Sequence, residues 1–66
     1  MNAQDELGRS LLQRFLNYRN RAEQLRIMAQ DMPERSALLM HTTAKTYDHM
    51  AETIRAILLQ SAEQTS

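Results

Sequence analysis

Residues 30–36, QDMPERS, decide the fold, because they hold the one strong break in a 66-residue chain otherwise rich in Ala, Leu, Gln, Glu and Arg. Pro33 has no N–H to donate and clashes with a preceding helical turn, so it suits only the first turn of a helix. It also drives Met32 out of helical geometry. Asp31 and Glu34, three residues apart, approximate a capping box for whatever follows. The punctuation predicts one helix over about 4–30 and a second over about 33–62. Gly8 weakens the opening turns, and Ser10 with Gln13 offers a rival start. Residues 63–66, EQTS, are expected to fray.

Outward from the turn, apolar and small residues recur in alternating steps of three and four. The first helix carries Gly8, Leu11, Phe15, Tyr18, Ala22, Leu25, Ala29 and Met32; the second carries Ala37, Met40, Ala44, Tyr47, Ala51, Ile54 and Leu58. Such alternation is a heptad seam. Folding at the turn makes the helices antiparallel, so facing residues have numbers that sum to about 65 or 66. Ala22 then meets Ala44, Tyr18 meets Tyr47, Phe15 meets Ala51 and Leu11 meets Ile54. Small faces small or large faces large in the middle, and large faces small toward the ends, which close packing requires. The fold class expected is all-α, an antiparallel helical hairpin in a single domain spanning residues 1–66.

The same register accounts for a repeat. YRNRAEQLRIM, residues 18–28, returns as YDHMAETIRAI, residues 47–57, with Tyr, Ala-Glu, an aliphatic residue and Arg at identical offsets. The tyrosines, alanines and aliphatic residues of both copies lie on the seam, whereas Glu23, Glu52, Arg26 and Arg55 face away from it.

The seam leaves apolar residues over. Beside it, the second helix carries the column Thr43, Met50 and Ile57, whereas the equivalent column of the first reads Arg14, Arg21 and Met28. The first helix instead spills over at Leu12 and Leu16, and Ile27, Leu38 and Leu39 stand apart. A hairpin buries one stripe per helix and leaves a second in water, at about 25 cal/mol per Å² of apolar surface. A chain this short is also marginal alone. The expected solution is a homodimer, a four-helix bundle with Leu12, Leu16, Met50 and Ile57 at the interface. A helix from another protein is the other occupant such a stripe would accept.

Composition narrows the chemistry. There is no cysteine, hence no disulfide and no thiolate metal site. The formal net charge is zero, which disfavours binding of polyanions through bulk charge. No apolar run approaches membrane-spanning length, and the acidic start MNAQDELG is unlike a secretory signal. A cytoplasmic protein with no membrane partner is expected. His41 and His49 near Asp48 and Glu52 raise the idea of a metal site, but His41 and Asp48 are about 10 Å apart along a helix, too far to share one ion. Glu23 and Glu52 lie off the seam, and the Glu-x-x-His pairing of di-iron bundles is absent. Glu52 with Arg55, and Arg19 with Glu23, read as surface ion pairs. Ser10, Ser36 and Ser61 have no His–carboxylate neighbour that would activate them, and a single glycine builds no phosphate loop. Neither a catalytic residue, a metal site nor a cofactor is expected, and the chain reads as no enzyme.

Nucleic acid is the competing partner. Arg14, Arg19, Arg21 and Arg26 on the first helix would be presented twice by a dimer and would track phosphates. They fall in two columns on either side of the seam, Arg14/Arg21 and Arg19/Arg26, with no aromatic residue interleaved for base stacking.

Tyr18-x-x-x-Ala22-x-x-Leu25-Arg26-x-x-Ala29, followed by Leu38-Leu39, Ala44, Tyr47 and Met50-Ala51-Glu52, resembles a group of short, uncharacterised bacterial helical hairpins. These have a Tyr-Arg-x-x-Ala opening and a closing Tyr-x-x-Met/Leu-Ala-Glu. The resemblance covers residues 18–52, implies the two-helix fold, and carries over no activity or ligand. The function expected is therefore that of a non-enzymatic interaction or regulatory protein acting as a self-associating bundle, with a dimeric nucleic-acid binder as the alternative.

Overall fold

The computed structural model describes residues 3–65, with side chains for residues 6–63. Helix α1 spans Ala3–Ala29 and helix α2 spans Glu34–Thr65, and the two pack against each other as an antiparallel hairpin. Gly8 and Ser10 lie inside α1 rather than at its start. Nothing from Ser61 to Thr65 breaks a helix, and α2 runs to Thr65, so the fraying expected from Glu63 onward is not observed; Ser66 lies outside the described residues.

The turn is tightened by backbone. The N–H groups of Gln30, Asp31 and Met32 donate three residues back to the carbonyls of Ile27, Met28 and Ala29, at 3.2, 3.4 and 3.2 Å. These bonds occupy carbonyls that the end of α1 would otherwise leave bare. The Pro33 carbonyl then accepts the first helical bond of α2 from the Ala37 N–H at 2.8 Å. No described residue adopts a positive φ, so the reversal needs no glycine. The expected capping box does not contribute, since Asp31 and Glu34 make no side-chain hydrogen bond among those of the described residues.

Every seam residue expected from the alternation is buried or half-buried. Ala22, Ala44 and Ala51 are wholly buried, with Ala29 and Ile54 close behind, and the Tyr18 and Tyr47 rings meet at mid-hairpin. Small side chains let the helices approach closely, and this produces a core made almost entirely of methyl groups. The hairpin is long and thin, 48 × 18 × 12 Å, with a radius of gyration of 15.2 Å. A compact chain of 66 residues would have about 11 Å.

Candidate interaction faces

Two columns flank the seam on each helix. On one side run Leu12, Arg19 and Arg26 of α1 with His41, Asp48 and Arg55 of α2. On the other run Leu7, Arg14, Arg21 and Met28 of α1 with Ser36, Thr43, Met50 and Ile57 of α2. Because the helices are antiparallel, matching flanks of the two lie on one face of the hairpin, and the two faces differ in chemistry.

The first face is an ion network. The Arg26 guanidinium donates to the Asp48 carboxylate. In the seam register these residues are offset by nine positions, roughly 13 Å along the axis. Their meeting follows from side-chain direction: each Cα–Cβ bond leans toward its own helix N-terminus, and in an antiparallel pair Arg26 and Asp48 lean toward each other. The hydrogen bond to Asp48 raises the Arg26 pKa above its ordinary value. Both side chains remain more than a third exposed, 37% and 40%, so the pair is screened by water and adds little stability. Arg55 Nε donates to Glu52 Oε2 at 3.1 Å, as expected of a Glu placed N-terminal to an Arg.

The expected Arg19–Glu23 pair is replaced by another contact. Arg19 lies over the Phe15 ring, its guanidinium carbon 5.8 Å from the ring centroid. The reason is again direction, since Arg19 leans back toward Phe15 and away from Glu23. Between the helices, Arg19, Asn20, Glu23, Arg26, Asp48 and Glu52 line an open depression of about 580 Å³. It holds two cations and three carboxylates, a solvated mixture rather than a pocket for one sign of charge. Among the described residues, no group of three or more His, Asp or Glu is placed to hold a metal ion.

The second face carries almost no charge. Arg14 and Arg21 are its only charged side chains between the turn and the open end among the described residues. Its distinguishing feature is a set of threonines whose hydroxyls are turned inward. Thr43 donates to the Leu39 carbonyl at 2.9 Å and Thr53 to the His49 carbonyl at 3.1 Å. Thr46 donates to the Thr42 carbonyl at 3.3 Å. With donors occupied by their own helix, these hydroxyls need no acceptor from a neighbour. Thr43, Met50 and Ile57 are the column expected from sequence; Thr46 and Thr53 are additional to it, and their signal is their spacing of three and four from that column. At the open end of the hairpin, Leu7, Gly8, Leu11, Ile57, Leu58 and Ser61 surround a groove of about 160 Å³.

The geometry redistributes the residues singled out from sequence. Leu12, Leu16, Met50 and Ile57 are all exposed, but they do not form one patch: Leu12 and Leu16 lie toward the ion network, Met50 and Ile57 among the threonines. The four arginines divide likewise. Arg19 and Arg26 sit among Glu23, Asp48 and Glu52, while Arg14 and Arg21 have no acidic neighbour on their face among the described residues. No helix among the described residues is long and apolar enough to cross a membrane. In comparisons with protein-family models, curated proteins and solved structures, nothing matches this chain.

Proposed function

We propose that the chain is a small non-enzymatic helical interaction protein, an adaptor or regulator, that works as a self-associated bundle of two hairpins. The observation that carries this reading is surface. The hairpin exposes 5488 Å², against about 4,300 Å² for a compact monomer of 7.7 kDa. The surplus is roughly 1,200 Å², more than the ~800 Å² each partner contributes to a standard interface. No large side chain of the described residues is fully buried, and ten large apolar ones stay exposed, from Leu7 near the start to Leu59 near the end. A second copy supplies the cover that one hairpin lacks. Sedimentation equilibrium at micromolar concentration tests this: the expected mass is twice 7.7 kDa. A fully helical species at the single-chain mass, unchanged with concentration, would overturn it.

The cysteine-free composition fits our assignment to the cytoplasm, which cell fractionation tests. Kinship with short bacterial helical hairpins belongs to this proposal too, on the pattern that runs from Tyr18 to Glu52.

A second reading is favoured by one observation, the absence of acidic neighbours around Arg14 and Arg21 among the described residues. A dimer would present four such arginines to a nucleic-acid backbone. Retardation of RNA or DNA that weakens with salt and is lost in the Arg14→Glu/Arg21→Glu double variant supports it. Equal binding by that variant removes it.

A further inference from the structure

On α2, Leu39, Thr43, Thr46, Met50, Thr53 and Ile57 follow one another in steps of four, three, four, three and four. This is a second seam, parallel to the one that packs on α1 and turned about a quarter of the way round the helix. We propose that it is the dimer contact: a second copy of this chain docks stripe on stripe, α2 against the partner's α2, with both α1 helices outside. This rests on the self-association proposed above and specifies its surface.

Three observations support the assignment. The stripe is uncharged along its whole length of roughly 27 Å, five turns of helix. Its three threonine hydroxyls already donate within the helix, so closing the stripe against a partner strands no hydroxyl donor. Leu39, Met50 and Ile57 are exposed by 64, 37 and 46%, which gives the contact apolar area at both ends and near the middle.

The occupant follows from charge and area. A partner must offer an uncharged helical stripe of the same length, and the stripe itself is one, which a two-fold axis pairs with its own copy. The matching flank of α1 is interrupted by Arg14 and Arg21, so α1 is the poorer partner for it. Those arginines instead run along the rim of the joint, stems over the partner and heads in water. On the opposite face, pairing through Leu12 and Leu16 would press the Arg26–Asp48 and Arg55–Glu52 pairs, and Arg19 over its Phe15 ring, into the contact, where desolvation outweighs the attraction.

The chain has no cysteine, so single spin labels can be placed cleanly. His49→Cys puts a label on the outer side of α2 and Asn20→Cys one on the outer side of α1; both positions are exposed and near mid-hairpin. Their separations across the dimer therefore rank the same way whether the two chains run in the same or opposite directions. With α2 on α2, the two His49→Cys labels lie closer than the two Asn20→Cys labels by about one helix diameter, ~10 Å, or more. In parallel, Met50→Glu is expected to halve the mass in sedimentation while Leu16→Glu leaves it unchanged. A dimer in which the Asn20→Cys labels are the closer pair, or equal to the other, overturns the assignment and leaves self-association standing. A wild-type monomer overturns both and gives the stripe to a helix of another protein.

Discussion

Tyr18 and Tyr47, twenty-nine residues apart in sequence, place their rings 5.9 Å apart between centroids, with the planes inclined by 33°. The contact pins the register of the hairpin, because sliding one helix by a turn would separate the rings and set Tyr18 against Ala44 or Ala51. Both rings are half-buried, so each contributes packing area and a ring–ring term of about 0.5–1.5 kcal/mol. Tyr18→Ala and Tyr47→Ala are each expected to destabilise by roughly 2 kcal/mol, below the 3–5 typical of a wholly buried aromatic ring. A double-mutant cycle in urea should return a coupling within that ring–ring range. Tyr→Phe at either site should change stability by less than about 0.5 kcal/mol. The hydroxyls are not trapped: no buried side-chain polar atom of the described residues lacks a partner.

Ala22, Ala44 and Ala51 are wholly buried because the helix backbones run close to one another at these layers. A larger side chain there has no free volume to enter. Ala51→Leu, opposite Phe15, is expected to cost about 1–3 kcal/mol. Thermal melts at matched protein concentration should show a drop of roughly 4–8 °C per kcal/mol in a chain of this size. A melting temperature equal to that of the wild type would mean that the alanine layers are looser than drawn.

Gly8 behaves in the opposite way. It lies within α1, and a Cβ built on it meets nothing within 4 Å. Gly8→Ala therefore adds helix propensity without a clash and should stabilise by about 0.8–1 kcal/mol. Circular dichroism during urea unfolding measures this directly. A loss of stability would indicate that the groove beside Leu7 and Ile57 closes on Gly8 in the assembled protein.

The seam and the turn were legible in the sequence because each rests on a local rule: the step of three and four, and the missing N–H of Pro33. What escaped depends on where side chains point. Arg26 reaches Asp48 across a nine-position offset through the lean of two Cβ atoms, which residue spacing does not encode. Arg19 chooses the Phe15 ring over Glu23 for the same reason. The division of the leftover apolar residues between two faces was implicit in their heptad positions, yet counting exposed leucines merged them. Thr46 and Thr53 are not legible as part of a stripe, because threonine counts as polar unless its hydroxyl donates to its own helix, as both do here.

Those threonines give the sharpest test of the second stripe. Thr43→Val and Thr53→Val keep the branched shape and remove a hydroxyl bonded only within the helix. If the stripe stayed in water, each change would be almost neutral in stability, within about 0.5 kcal/mol. If it is the dimer contact, each valine removes a polar group from an interface, where even a partly compensated hydroxyl costs roughly 0.5–2 kcal/mol. Each substitution enters the contact twice, once from each chain, so the dimer should then tighten by about fivefold or more, since 1.4 kcal/mol is tenfold in an equilibrium constant. Thr42→Val is the control: its hydroxyl makes the same bond, to the Leu38 carbonyl at 2.9 Å, but it lies on the outer side of α2. Dissociation constants from dilution series should therefore fall for Thr43→Val and Thr53→Val and stay fixed for Thr42→Val. An equal response from all three would place the effect in helix propensity and remove the stripe from the contact.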